Sequence, residues 1–209
     1  TINEPACIGD DVMPVVSARC LLMNVAASVP RGFLLTAALA VGLGLTLSAR
    51  QQPFKSGART VAVYATVTGT AQDATTWQVW KITPDGTASM FVQGAPMRQP
   101  NGIAFDEKGN IVVVNIGNDE VLTFGQHGKL LKTENAAQAG NDGLVIMKDG
   151  TKYVSSVING GVSRIRPGRP AELIAQNIPN PASMCYDAGA NQLVIPMNAN
   201  NAMAFIPLK

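Results

Sequence analysis

Residues Ile103–Phe124 read IAFDEKGNIVVVNIGNDEVLTF, and residues Leu144–Ile165 read LVIMKDGTKYVSSVINGGVSRI. The two stretches match in phase at an offset of 41: Ile103 with Leu144, Phe105 with Ile146, Gly109 with Gly150, Val113 with Val154, Asn118 with Asn159, Val121 with Val162 and Phe124 with Ile165. A third copy, Met184–Phe205, follows at an offset of 40. A fixed period of this size marks stacked supersecondary units. Each unit is a set of short strands, which makes it a β-propeller blade and not a helical repeat.

Within a copy the pattern has period two. Ile103 and Phe105, Ile111 and Val113, then Val121 and Thr123 alternate with smaller or polar residues, as strands with two distinct faces require. Between the runs stand turn formers: Glu107-Lys108-Gly109-Asn110, Gly125-Gln126-His127-Gly128, Asp149-Gly150 and Asp85-Gly86. The first full copy therefore predicts strands at about Gly102–Asp106, Asn110–Ile116, Glu120–Gly125 and Lys129–Glu134, joined as an antiparallel meander. The second predicts Gly143–Met147, Lys152–Val157, Gly161–Arg166 and Ala171–Ala175. The third gives Ala182–Tyr186, Gln192–Met197 and Asn201–Pro207. An upstream partial copy offers Thr60–Thr68, Trp77–Thr83 and Ala88–Gln93 and lacks an innermost strand. The expectation is an all-β chain of 14 strands in four visible blades, two full and two partial. Glu134–Ala139 is read as loop because Gly140 stops any helix there.

The chain has 209 residues, 46% apolar content and net charge +2, enough for one domain with a real core. Lys and Arg are scattered, so no nucleic-acid footprint forms, and aromatics at 5% argue against a stacking platform for bases or long sugar chains. Phe33–Ala49 is an uncharged apolar run of 17 residues between Arg31 and Arg50. It reads as a secretory signal starting at Met23 with cleavage near Ser48-Ala49, or as a membrane anchor at the short end of spanning length. The signal is preferred because the run is short, Gly- and Ala-rich and ends in small residues, although Leu47 is bulky for a cleavage site. The division is 1–22 unassigned extension, 23–49 signal or anchor, and 50–209 partial propeller. Either reading places the propeller outside the cytoplasm, periplasmic or secreted, and touching a membrane only through residues 33–49 if these stay uncleaved. Cys7 and Cys20 precede the apolar run and Cys185 alone follows it, so Cys185 is expected to be a buried small hydrophobe without a disulfide.

Pro100-Asn101-Gly102-Ile103-Ala104-Phe105-Asp106-Glu107-Lys108-Gly109-Asn110 resembles the blade-opening motif of the senescence-marker/gluconolactonase propellers, shared with the wider NHL-type propellers. Trp80-Lys81-Ile82-Thr83-Pro84-Asp85-Gly86 resembles their outer hairpin, and Asn191–Met197 with Phe205–Leu208 resembles their final blade. The resemblance covers about Thr60–Lys209 and implies a six-bladed propeller, which at about 40 residues per blade needs roughly 240 residues. The stretch after Ala49 is about two blades short of that. A fragment, a genuinely short four-bladed ring and an open arc that pairs with another copy all fit, the fragment being preferred. An open arc would expose strand edges.

First strands line a propeller's channel, so residues at their starts gather at one end. Asn101 and Asp142 share this phase, each followed by Gly, whose missing side chain permits close backbone approach. Read from the residues alone, Asn-Gly and Asp-Gly are ordinary turn chemistry. The resemblance adds a second meaning: an Asn and an Asp at matching blade starts are metal ligands, completed by a Glu from an early blade that this stretch lacks. On that basis Asn101 and Asp142 are expected to hold a divalent ion, Ca2+ by preference for hard oxygens, with Asp142 also a candidate general base. The third copy has Ala182 at this phase, with Ser183 beside it. Asn115 and Ser156, a second in-phase pair ending the second strands, are the substrate-contact candidates. Asn118, Asn159, Asn198, Asn200 and Asn201 read as turn formers, His127 as a solvated loop residue, Arg164, Arg166 and Arg169 as a solvated face, and Trp77 and Trp80 as packing. The functional expectation is an exported, metal-dependent lactone hydrolase. The alternative is a non-catalytic propeller that binds a small molecule or protein at its channel mouth.

Overall fold

The computed structural model describes residues 62–209. The expectations for 1–22, for the signal or anchor at 23–49 and for 50–61 lie outside these residues. Among the described residues, fourteen strands form four antiparallel sheets, each a simple meander. The first sheet holds β1 (Val63–Val67), β2 (Gln78–Ile82) and β3 (Ala88–Gln93), with a 3-10 turn at Ala74–Thr76. The second holds β4 (Pro100–Phe105), β5 (Ile111–Asn115), β6 (Glu120–Phe124) and β7 (Leu130–Asn135). The third holds β8 (Asn141–Ile146), β9 (Lys152–Ser156), β10 (Gly161–Ile165) and β11 (Glu172–Ala175). The last holds β12 (Cys185–Asp187), β13 (Gln192–Met197) and β14 (Ala202–Pro207). No helix among the described residues is long and apolar enough to cross a membrane.

The strands follow the period-two pattern closely. Where they close on themselves, the turn residues act as their chemistry requires. In the β4–β5 turn, Asp106 Oδ1 accepts from the backbone N–H of Lys108 and of Asn110, and Gly109 takes φ +74°. The inner strand of the last sheet is the exception: only Cys185–Asp187 pairs, not the expected stretch from Ala182. Pro181, which has no N–H, is held by an isolated bridge to Met197, and the ladder starts only after it.

Alternation gives each sheet two apolar faces, and the faces of neighbouring sheets make three separate core layers. Tyr64 and Val79 of the first sheet meet Ile103, Val113 and Leu122 of the second. Ala104, Val112 and Val114 on the second sheet's other face meet Leu144, Ile146 and Val154 of the third. Val145, Tyr153 and Val162 then meet Tyr186, Leu193 and Ile195 of the last. Tyr64 adds edge-to-face contacts with Phe91 and Phe105 at centroid distances of 5.0 and 5.5 Å.

The first sheet begins at the second-strand position. Thr66 Oγ1 on β1 donates to the carbonyl oxygen of Asn101 at the start of β4. Ser155, on the second strand of the third sheet, makes the same reach to Ala182 O ahead of β12. Among the described residues the upstream copy thus shows no innermost strand. The last sheet has three strands among the described residues, β14 being the outer one of them.

Cys185 departs from its expectation. It is half-buried and disulfide-bonded, its partner lying outside the described residues.

Candidate functional site

The two residues expected to hold a metal occupy the same backbone feature. Pro100 pairs with Asn115 and Ile103 with Val113, so β4 carries one extra residue across Asn101-Gly102. Asn141 pairs with Ser156 and Leu144 with Val154, so β8 carries the same bulge across Asp142-Gly143. Bulges bend a strand and re-aim side chains at the rims of sheets. The third inner strand repeats no such register shift in its three pairs.

Adjacent bulges are in contact. A Cβ on Gly102 would stand 2.3 Å from the backbone oxygen of Asp142, and one on Gly143 would stand 2.6 Å from that of Ala182. The glycines are there for close approach, but what approaches is the next inner strand. Asn101 is half-buried, and its backbone oxygen accepts from Thr66 Oγ1 at 2.6 Å. Its side chain makes no hydrogen bond to the described residues. Asp142 is 3% exposed, and Ser183 Oγ donates to its Oδ1 at 3.4 Å. Ser183, which phase alone had set beside Ala182, is therefore the third copy's contribution to this end of the sheets.

Asn141, next to Asp142, is fully buried. Its amide reaches Asn118 O at a long 3.5 Å, and its Oδ1 has no partner. A buried acceptor in this condition is fit for an ordered water or a ligand. The sequence signal was present: Asn141 stands where the preceding copy has Pro100.

Asn115 and Ser156 do occupy equivalent places, but their side chains are engaged within the fold. Asn115 Oδ1 accepts from Arg98 N at 3.1 Å, and its Nδ2 donates to Asn118 Oδ1 at 3.1 Å. Ser156 Oγ donates to Ala139 O at 2.5 Å and accepts from Asn159 N at 3.0 Å. Each ties the end of a second strand to the segment leading into the first strand of its own sheet. They steady the backbone just before Asn101 and Asp142.

Ser155 does a parallel task one residue earlier. Fully buried, it accepts from Gly143 N and donates to Ala182 O, both at 2.8 Å. Its phase is that of apolar Val114, and a polar residue at a core phase was the clue to it. Ser155→Ala leaves a buried N–H and a buried carbonyl without partners. The expected loss is about 2 kcal/mol, or a fall of about 6 °C in Tm for a domain of this size, read by thermal unfolding.

The remaining polar candidates are accounted for locally. Arg164 Nη2 meets Glu172 Oε2 at 2.8 Å, and Arg166 pairs with Glu172 Oε1. His127 is an exposed turn residue. A cavity of about 300 Å³ lined by Met147, Asp149, Tyr153 and Tyr186 lies at the other end of β8, away from Asp142.

A Ca2+ site gathers six to eight oxygens, usually with several carboxylates. The bulges offer the carboxylate of Asp142, the hydroxyl of Ser183, the amide of Asn101 and the unpartnered Oδ1 of Asn141. These fit a hard cation in kind. Among the described residues no three His, Cys, Asp or Glu side chains stand together, so they fit as part of a site.

No family model matches the chain, and no curated protein matches it. Solved structures do. A gluconolactonase from Xanthomonas campestris, described as important in glucose secondary metabolic pathways, aligns with TM-score 0.54 and 18% identity over 73% of this chain and 55% of that one. A chain of the nidogen–laminin complex aligns with TM-score 0.52 and 18% identity over 65% and 52%. A structural-genomics target described as a candidate gluconolactonase gives TM-score 0.50 and 20% identity over 63% and 45%. The chain spans about half the length of these proteins. With its antiparallel meanders stacked face to face, it has the fold of a gluconolactonase-like, NHL-type β-propeller.

Proposed function

We propose that this chain is part of a gluconolactonase-like lactone hydrolase that works with a divalent cation, Ca2+ by preference, at the paired bulges of β4 and β8. The observation that carries the reading is that Asn101 and Asp142 sit in two equivalent, touching bulges beside an unpartnered buried acceptor, Asn141 Oδ1. When bound, a divalent cation supplies polarisation of a lactone carbonyl and a more acidic water. Asp142 provides the one carboxylate, and as general base it takes a proton from the attacking water. Asn101 and Ser183 orient neutral oxygens around it. Asn115 and Ser156 act on substrate indirectly, by fixing the backbone that presents Asn101 and Asp142.

A second reading has support of its own. Asp142 is almost wholly buried, and one carboxylate is little for a catalytic metal site. A non-catalytic propeller that binds a small molecule or protein at this mouth needs no more than the polar groups present.

Calorimetric titration of Ca2+ into the full chain, paired with lactone-opening assays with and without chelator, separates the two. The enzyme reading expects saturable binding weakened at least about tenfold by Asp142→Asn and chelator-sensitive hydrolysis. A folded chain that neither binds the ion nor opens lactones discards it in favour of the binding propeller.

A further inference from the structure

In the second, third and last sheets a left-handed residue leads into the first strand: Gln99 at φ +54°, Gly140 at φ +81° and Asn180 at φ +43°. Its carbonyl oxygen accepts from the N–H just past the second strand, that of Ile116 at 2.9 Å, Val157 at 2.9 Å and Asn198 at 3.2 Å. Glycine and asparagine take this conformation readily, and glutamine does not. Backbone held against its preference clusters at ligand clamps and active sites.

Arg98, one residue earlier, stands where the other two copies have Ala139 and Pro179. Its N–H donates to Asn115 Oδ1 at 3.1 Å, and its carbonyl oxygen accepts from Gly117 N at 3.0 Å. The carbonyl oxygens of Pro100 and Asn101 accept from Thr68 Oγ1 at 2.9 Å and Thr66 Oγ1 at 2.6 Å. Every backbone carbonyl from 98 to 101 is therefore held. The Arg98 stem is held too. It lies across Gly117, where a Cβ would stand 2.6 Å from Arg98 Cγ, and Gly117 has no left-handed backbone that would itself call for glycine.

The side chains on this locked backbone are unspent. Arg98 is exposed, Gln99 and Asn101 are half-buried, and none of the three makes a side-chain hydrogen bond or ion pair with a described residue. Asp119 and Glu120 follow in the same turn without pairing with Arg98, and Glu120 accepts from Asn118 Nδ2 at 2.8 Å instead. The second sheet is covered by a described sheet on each face.

We propose that Arg98, Gln99 and Asn101 form a subsite for a hydroxy acid, the Arg98 guanidinium holding its carboxylate. A guanidinium presents its N–H groups as a fork that matches the two oxygens of a carboxylate. The amides of Gln99 and Asn101 offer both donors and acceptors, which suits hydroxyls beside that carboxylate. Arg98 and Asn101 are at most about 11 Å apart along the chain, within the span of one open-chain sugar acid. A monoanion is favoured over a phosphate dianion, because Asp119, Glu120 and Asp142 stand at the same end of the sheets as this one arginine. The subsite goes beyond the hydrolase reading, since a binding propeller would use it in the same way.

The test is calorimetric titration of the full chain with gluconate and, separately, with sorbitol, the same carbon chain without the carboxylate, each in the presence of a chelator. Gluconate is expected to bind at least about tenfold more tightly, as a charge-assisted contact warrants. Arg98→Gln should bring gluconate down to the level of sorbitol. Arg98→Lys, which keeps the charge and loses the fork, should restore part of the difference. Thermal unfolding checks the variants, and Arg98→Met, which keeps the stem across Gly117, stands in if Arg98→Gln does not fold. Equal binding of the two probes, a folded wild-type chain that does not bind gluconate, or full gluconate affinity without the guanidinium each overturns the proposal. Lactone-opening assays with Ca2+ keep the two readings apart. Arg98-dependent gluconate binding in a chain that opens no lactone removes the hydrolase and leaves the subsite. Lactone opening in a chain that binds gluconate no better than sorbitol does the reverse.

Discussion

Gly102→Ala is expected to destabilise the fold by about 3 kcal/mol, at the upper end of what overpacking costs. That corresponds to a fall of roughly 9 °C in Tm for a domain of this size. The cost is steric, since Gly102 has no left-handed backbone conformation to defend. Its added methyl would stand 2.3 Å from Asp142 O and 2.8 Å from Val114 Cγ2. Neither neighbour can yield. The first is backbone in a bulge, and the second belongs to a fully buried valine in the layer between the second and third sheets. The only relief is to separate β4 from β8, which also separates Asn101 from Asp142. On the proposed function, the variant should therefore also bind Ca2+ less tightly than the wild-type chain at temperatures where both are folded. Gly189→Ala is the control: its nearest atom, Asp187 Oδ1, is at 3.4 Å, and the change should stay within about 0.5 kcal/mol. Thermal and denaturant unfolding of both variants read the difference. Equal stabilities would mean that the two inner strands are not in the contact described.

The repeat made most of the architecture legible. Gln192–Met197 and Ala88–Gln93 were expected at the bounds they have, and the strands of the two full copies fall within two residues of theirs. This works because period two and turn chemistry are local: Asp106, Gly109 and Asn110 make their turn whatever lies beyond it. The bulges were half legible. Asn-Gly and Asp-Gly flagged the positions, but the extra residue in β4 and β8 shows only when strand registers are compared. What joins the sheets was not legible. Alternation tells which face Ser155 or Ser183 occupies, but not the height at which it meets Ala182 O or Asp142. Asn115 and Ser156 show the same gap. Their shared phase was readable, and the backbone groups that engage their side chains were not. Cys185 shows it most simply, since a disulfide leaves no mark on a repeat.

The largest electrostatic effect is expected where that same blindness to cross-sheet contacts hid an ion pair. Glu134 on β7 is ion-paired with Lys152, the first residue of β9, at 2.9 Å, and with Lys132 at 2.8 Å. The side chains of Glu134 and Lys152 are each 11% exposed, while Lys132 is 53% exposed. Burial by itself pushes the Glu134 carboxyl up, but the ammonium groups of Lys132 and Lys152 outweigh it and hold the pKa below the ordinary value of 4.5. A carboxylate held low contributes stability that is fully present above its unfolded pKa. It is lost as pH falls through 4.5 toward the depressed folded value. Lys152→Ala leaves the carboxylate buried with one partly exposed partner and also removes the lysine stem from the packing. The expected loss is about 3 kcal/mol at neutral pH, the low end for breaking a buried pair. It should shrink on acidification, as Glu134 becomes neutral in both states. Glu134→Gln with Lys152→Met removes both charges and keeps the volume, so it should recover most of that loss, because an apolar replacement of a buried pair is often neutral. A double-mutant cycle by urea unfolding at neutral pH and again near pH 4 reads all three quantities. If Lys152→Ala cost the same at both pH values, the lysine would be acting through its stem alone. The link between the second and third sheets would then be apolar packing, with no electrostatic part.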